Sequence, residues 1–502
     1  MKVLLIYPGF PDTFWSFRYA LRFIGKKAAF PPLGLLTVAG LLPEEWSRRL
    51  VDVNVDALTD NDLSGADMVF IGGMAVQRES AKQIIARCRA KGLKVVAGGP
   101  LFTAVPDEFE EVDHLVLDEA EITLPSFLED LQNGHPQKVY RACAFCDLHH
   151  TPVPSWDLIS MKRYASMSIQ FSRGCPFNCE FCNVTVLFGH RPRLKTPQQV
   201  LAELDSVYDA GWRNSIFFVD DNFIGNKQYL KTQLLPALID WRKDKKGCAF
   251  FTEASIDLAD DPELLDLLYK AGFDSVFIGI ESPDEASLTE CHKTQNKNRD
   301  LLRSVKIIQH AGLQVMGGFI VGFDSDTHAT FERQVDFIKK SGIVTAMVGL
   351  LQAPPGTRLF DRLQRENRVI SAFSGDNVDG TTNIIPKMGL DRLLEGYRSI
   401  MKQIYSPKMF YRRVRTFLKE LKAPEIRSPT DVQRCLAVFR SGFWLGVWGK
   451  ERLHYWYLVF WTLIRRPKLL SLAFTLAIYG HHYRRICEKY IFFDSDGDIS
   501  LD

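Results

Sequence analysis

The chain has 502 residues, a formal charge of +2 and 46% hydrophobic residues, enough for about three domains with sizeable buried cores. So slight a basic excess argues against nucleic acid as a partner, since a phosphate-binding footprint needs a strong one. Its opening, MKVLLIYPGF, is cut by Pro8 and Gly9 before any signal-length apolar run, so the ten cysteines are expected to be thiols or metal ligands in a cytoplasmic protein.

Residues 1–140 alternate short apolar runs with helical periodicity. KVLLIYP, DMVFIGGM and KVVAGGP read as buried strands, and ESAKQIIARCRAKG as a helix stopped at Gly92. This alternation predicts an α/β unit with a parallel sheet covered on both faces. Gly72, Gly73, Gly98 and Gly99 follow strand ends, where doubly wound folds bind ligands, although glycines there also serve simply as turns. No G-x-G-x-x-G is present, which argues against a nicotinamide or flavin dinucleotide.

Residues 141–166 read as a linker, with two prolines in HHTPVPSWDLISMKRY enforcing extended backbone. Just within it, CAFC adds Cys143 and Cys146, which are taken as incidental. A redox pair, or a metal site helped by His149 and His150, is the alternative.

From 167 to 390 strand and helix repeat again. SIQFS, SIFFVDD, AFFTEAS, SVFIGIES, QVMGGFIVGF and AMVGLL are the expected strands, with helices such as PQQVLAELDSVYDAG and DPELLDLLYKAG between them. Six repeats fall short of a closed eight-fold barrel, so an open, partial one is expected, with its chemistry at the carboxyl ends of the strands.

The loop after the first of these strands, SRGCPFNCEFCNVTVLFG, holds Cys175, Cys179 and Cys182 at the spacing C-x3-C-x2-C. Structural zinc usually takes four ligands, and a disulfide would leave one thiol over. An iron–sulfur cluster on three thiolates leaves one iron open to an outside ligand, which suits a cluster that does chemistry. Phe181, between the last two cysteines, reads either as a shield for such a cluster or as ordinary loop packing.

Residues 391–502 are expected to be a helical tail. LLEGYRSIMKQIYSPKMFYRRVRTFLKEL carries Pro407 at a break or helix start. LHYWYLVFWTLI and LLSLAFTLAIYG are uncharged runs, each shorter than the roughly 20 residues that cross a bilayer. Aromatic apolar faces with basic ends predict helices lying in the headgroup region; a buried helical subdomain is the alternative.

These motifs resemble a known family. C-x3-C-x2-C after the first strand of a partial (β/α)6 barrel is similar to the radical S-adenosylmethionine (SAM) enzymes. FPPLGLLTVAGLLP, GGP and DEAE resemble the Rossmann-like cobalamin-binding domain preceding that barrel in the class B, cobalamin-dependent methylases. Together with FFVDDNFIGNK, TEASIDLADDPELL, GIESPD and GFIVGFD, they resemble the hopanoid C2-methylase-like subgroup from residue 1 to about residue 485. The CxxC and Asn183, where relatives have an acid, depart from that pattern.

The resemblance implies three cofactors: a [4Fe–4S] cluster, S-adenosyl-L-methionine and cobalamin. Cys175, Cys179 and Cys182 match the cluster ligands, and the methionine end of SAM would chelate the fourth iron. Asp220, Asp221, Asn222, Glu253, Ser255 and Glu281, all at strand ends, are the candidate SAM contacts, with GFIVGFD near the adenine; each also reads as an ordinary strand-end group. Pro32, Leu33, Gly34, Gly72, Gly73, Met74, Gly98, Gly99 and Pro100 are the candidate cobalamin loops, and no D-x-H-x-x-G is present to place a histidine below cobalt. A domain of this fold that binds nothing is the alternative.

The function implied is C-methylation of an unactivated carbon of a lipid or isoprenoid-like small molecule, with electrons from a donor such as flavodoxin or ferredoxin. The chain is expected in the cytoplasm, peripheral on the inner face of the membrane. Ring formation, rearrangement or oxidation without methyl transfer is the alternative.

Overall fold

The computed structural model describes residues 1–376, 379–423 and 432–492. Strands β1 (Lys2–Tyr7), β2 (Ser47–Asp52), β3 (Met68–Gly72), β4 (Lys94–Gly98), β5 (His114–Val116) and β6 (Val139–Tyr140) form one sheet in the order β2-β1-β3-β4-β5-β6. Every pairing in it is parallel. Alternate residues of a strand face opposite ways, so both faces of β1 are apolar. Leu4 and Ile6 join the core under the helix Arg78–Ala90, whereas Val3 and Leu5 join the core under the helices Leu33–Leu41 and Ala120–Gln132. The helix Arg18–Ile24 (α1) belongs to neither of these cores; its Ala20 and Phe23 pack into the core of the following domain. β2, β5 and β6 escape sequence reading: β2 is an edge strand with only Val51 and Asp52 buried, and β5 and β6 are too short to show a period. The chain order reverses between β1 and β3, and this opens a crevice at their carboxyl ends.

A second parallel sheet follows: β7 (Met167–Ile169), β10 (Ile216–Phe218), β11 (Phe250–Glu253), β12 (Phe273–Glu281), β13 (Gln314–Val321) and β14 (Ala346–Leu350). They pair in sequence order, with β7 and β14 as free edges, so the six expected strands make an open, partial barrel. An antiparallel ribbon of β8 (Ser172–Arg173) and β9 (Arg193–Leu194), not expected from sequence, brackets the three cysteines. The covering helices carry ordinary sequence signals. In Leu301–Ala311 the buried Leu301, Val305 and Ile308 mark one face, the Asp300 carboxylate accepts from Arg303 N–H at 2.9 Å, and Gly312 at φ 111° ends the helix.

The tail is helical: Leu390–Tyr405, Pro407–Glu420, Val432–Gly446 (α2), Arg452–Arg465 (α3) and Leu470–Ile486 (α4). Residues 424–431 and 493–502 of the expected tail lie outside the described residues. Here the expectation needs correction. α4, which contains LLSLAFTLAIYG, is not a surface helix: Leu476, Tyr483 and Ile486 are fully buried in the core that holds Phe14, Val348 and Tyr405. Its rings pack on those of the first domain's leading segment, with Phe14 and Tyr483 5.5 Å apart. α3 differs, because only its inner face is buried. Among the described residues, no helix is long and apolar enough to cross a membrane.

Candidate active site

The three cysteines sit on a loop that is shaped before any ligand arrives. Gly174 has φ 94°, and a Cβ there would meet the carbonyl oxygens of Arg191, Phe188 and Gly189 at about 3 Å, so only glycine fits. Cys175 N–H donates to Gly189 O at 3.2 Å, and Cys182 N–H to Cys179 O at 3.2 Å. The outer turn is tied down by Arg362, which donates to Glu180 at 2.8 Å, and by Arg358, which donates to Asn178 O. All three thiols are free and half-buried, and burial pushes the Cys182 thiol up to about 12. Amide donors face them: Asn222 Nδ2 lies 3.9 Å from Cys175 Sγ and Gln295 Nε2 3.7 Å from Cys179 Sγ.

Among the described residues, no three His, Cys, Asp or Glu side chains converge on a single metal ion. Three thiols on one loop, two of them facing amide N–H donors, are a donor set that an iron–sulfur cluster takes, and the loop fits that group.

Lys293 lies beside these thiols, with Nζ 2.7 Å from Glu281 Oε1. Burial pulls its pKa down, but Glu281 and the neighbouring Cys179 outweigh that and hold it protonated. Gly279 makes the pair possible: a Cβ there would lie 2.3 Å from Glu281 Oε1 and 2.7 Å from Lys293 Nζ. Glu281 itself sits at a register shift with φ 61°.

The strand-end carboxylates divide into two kinds. Asp220 is turned inward, accepting from Phe171 N–H at 3.2 Å, from Ser172 Oγ at 2.5 Å and from Ser172 N–H, so it ties β10 to the turn before the cysteine loop. Asn222 is likewise engaged, with Oδ1 accepting from Ser255 N–H at 3.2 Å. Asp221 and Glu253 instead line the principal cavity, and Glu281 lines a smaller one beside it.

Burial, with Asp221 and Asp220 nearby, pushes the Glu253 carboxyl up to about 8; burial pushes Asp221 up to about 6. A carboxyl raised in the folded state supports stability below its unfolded value of about 4.5, and this is lost as pH rises through about 8. Glu253→Gln, which copies the neutral form, should flatten that decline. Thermal melts of the SAM-free protein should show a gain of at least about 2 °C at pH 8 and almost none at pH 5.

The principal cavity, of about 1310 Å³, lies between the two sheets. All nine residues of the loops Pro32–Gly34, Gly72–Met74 and Gly98–Pro100 line it, as do Ser168, Gln170, Arg173, Phe217, Asp221 and Glu253 of the barrel. It exceeds the usual range for drug-sized ligands and can hold a group as large as a corrin. A Cβ on Gly34 would meet no atom within 4 Å, so that wall is open backbone, and among the described residues no histidine lines the cavity.

Several residues that matter here carry no role in sequence reading. Arg173, directly before Gly174, donates to Glu119 at 2.9 Å and to Glu121 at 2.7 Å, and Arg193 donates to Glu119 at 2.9 Å. This buried network locks the cysteine loop to the first domain, and removing one member of such a set costs about 3–5 kcal/mol. Glu119 and Glu121 belong to the DEAE already noted, but their partners lie more than fifty residues away and cannot be read locally. Lys293 and Gln295 gave no signal at all.

Among the described residues, Cys143, Cys146, His149 and His150 are not brought together around one point. Cys143 is exposed and Cys146 buried, and His149 hydrogen-bonds to Asp147 in solvent. Cys146 instead backs the ion network, with Arg193 3.5 Å from its sulfur, and burial pushes its thiol up to about 12. Phe181 is half-buried against Phe323 and under Lys293.

Comparison with known proteins agrees with this architecture. The Radical SAM superfamily pattern matches residues 169–338, and a domain of unknown function, DUF4070, matches 357–491. An "Uncharacterized methyltransferase" of Synechocystis is 44% identical, covering 98% of this chain and 93% of its own. The "Hopanoid C-2 methylase" of Rhodopseudomonas palustris is 35% identical, covering 92% and 90%. Among solved structures, the cobalamin-dependent SAM radical enzyme OxsB, with aqua-cobalamin bound, matches with a TM-score of 0.61 at 16% identity, covering 98% of this chain and 84% of that one. At that identity the likeness is one of fold.

Proposed function

The chain belongs to the cobalamin-dependent radical SAM enzymes, in the hopanoid C-2 methylase-like subgroup, and is a methyltransferase; we propose that it methylates an unactivated carbon of a lipid or isoprenoid-like substrate. The observation that carries this reading is the single cavity that joins the first domain's glycine loops to the barrel's carboxylates and is walled by Trp15, Phe30 and Phe217. Once bound, the cluster and SAM supply one-electron chemistry and cobalamin supplies methyl transfer.

The residues of the chain do the rest. Cys175, Cys179 and Cys182 hold the cluster, and Asn222 and Gln295 direct amide donors at two of the sulfurs. Asp221 and Glu253 accept from the ammonium and hydroxyl groups of SAM, and Lys293 with Glu281 keeps a fixed charge beside the cluster loop. The half-buried rings of Phe30 and Phe217, 5.3 Å apart, give the substrate an apolar wall and exclude water from reactive intermediates. The protein acts in the cytoplasm at the inner face of the membrane, and takes electrons from a small donor protein such as flavodoxin or ferredoxin.

The test is a product assay on the cluster- and cobalamin-loaded enzyme, supplied with detergent-solubilised lipid extract and a reductant. S-adenosylhomocysteine and 5′-deoxyadenosine should form together, with a methylated lipid. Deoxyadenosine alone, with cobalamin bound, would refute methyl transfer and leave ring formation, rearrangement or oxidation. Methylation confined to the water-soluble fraction would refute the lipid substrate.

A further inference from the structure

α3 is apolar on both sides. Its inner residues Tyr455, Leu458 and Thr462 are buried, yet Leu453, Trp456, Tyr457, Phe460, Leu463 and Ile464 form an exposed stripe at helical spacing. α2 continues the surface with Leu436, Phe439 and Phe443, and Trp448 follows at the turn between the helices. Phe439 is 76% exposed, Trp448 71%, Leu453 80% and Ile464 76%. A soluble surface scatters such residues singly; here they adjoin on one helical hairpin.

The charge around the face says what covers it. From Val432 to Arg485 there are nine lysines and arginines and one acid, Glu451, which is buried and paired with Arg484 at 2.8 Å. Lys450, Arg452, Arg465 and Lys468 stand exposed at the ends of the hairpin. A second copy of the chain would set this cationic rim against itself, whereas anionic headgroups complement it. Tryptophan and tyrosine among the apolar residues suit a headgroup boundary. Fourteen residues reach about 21 Å, short of the roughly 30 Å hydrocarbon layer, so α3 can lie in a membrane surface but not span it.

The face also adjoins the cavity. Arg440 of α2 donates to Phe23 O of α1 at 2.8 Å, while Arg18, Arg22 and Gly25 of the α1 segment line the cavity. α1 thus touches both.

We propose that the outer face of α2 and α3 seats on an anionic membrane surface and presents the cavity, across α1, to an amphiphile carried there. This deepens the lipid-substrate reading and rests on it for the amphiphile, while the seating itself is independent of any reaction. α4 takes no part, since it is the core of the tail.

The experiment is co-sedimentation of the full, cluster-loaded chain with vesicles of phosphatidylglycerol and phosphatidylcholine, or of phosphatidylcholine alone. Binding should be at least about tenfold tighter to the anionic vesicles and should weaken with salt. Combining Phe439→Ser, Trp448→Ser, Leu453→Ser and Ile464→Ser should cost about tenfold or more, with iron content and melting temperature unchanged, since all four side chains lie outside the core. Wild-type protein left in the supernatant with both vesicle types would overturn the proposal, as would a variant that binds like wild type. So would a concentration-dependent dimer abolished by the same substitutions, which assigns the face to a second copy. Vesicle binding without any methylated lipid would keep the seating and sink the lipid substrate; methylation in detergent without vesicle binding would do the reverse.

Discussion

Cys179→Ala protein, purified without oxygen, should carry less than about one iron per chain where wild type carries about four. Cys179 is one of three thiols on a loop held by Gly174, Glu180 and Asn178, so its removal leaves two, too few to hold the cluster. Another thiol near the loop, Cys291, is buried and donates to Leu288 O at 3.7 Å, with burial pushing it up to about 12. It faces a carbonyl and is a poor replacement. Cys435→Ala, at an exposed position in the tail, should keep full iron and serves as the control. Loss of the cluster's visible absorbance should accompany loss of 5′-deoxyadenosine formation. Full iron in Cys179→Ala would sink the ligand assignment.

Gly34→Phe should separate the two cofactors. A Cβ there would meet no atom of the protein within 4 Å, and Gly34 lines the cavity with Gly72–Met74 and Gly98–Pro100, so the backbone accepts a side chain that the cavity must then accommodate. Affinity for cobalamin should fall by about a hundredfold or more, because a ring that must enter a filled cradle forfeits its packing. Iron content should stay at the wild-type level, since the cysteine loop is carried by the β8–β9 ribbon and not by the first sheet. SAM cleavage to 5′-deoxyadenosine should persist while methyl transfer is lost. Cobalt bound at wild-type affinity would place the corrin elsewhere than these loops.

Much of this protein could be read along the chain. The alternation of β1, β3 and β4 with helices, the six barrel strands and the cysteine spacing are local patterns, because burial on two faces or one stamps its period on neighbouring residues. Gly72, Gly73, Gly98 and Gly99 were legible as strand-end glycines, whereas Pro32–Gly34, at the start of the helix Leu33–Leu41, came from the resemblance alone. What stayed hidden was whatever depends on a distant partner or on a missing period. β5 and β6 are too short to show one, and Gln295 and Arg173 acquire roles only when segments over fifty residues apart are folded together, as does Lys293 beside Cys179.

The tail makes the division plain. Composition alone determined that two aromatic, uncharged runs with basic ends were there. Which of them is core was a tertiary decision: α4 is enclosed by Phe14, Tyr405 and the barrel, whereas among the described residues α3 has packing partners on one side only. Similarly, the sequence supplied carboxylates at strand ends, but only the fold turned Asp220 into a tie and left Asp221 and Glu253 facing the cavity. Hydrophobic periodicity records how much of a segment is buried, and it carries no record of which surface does the burying.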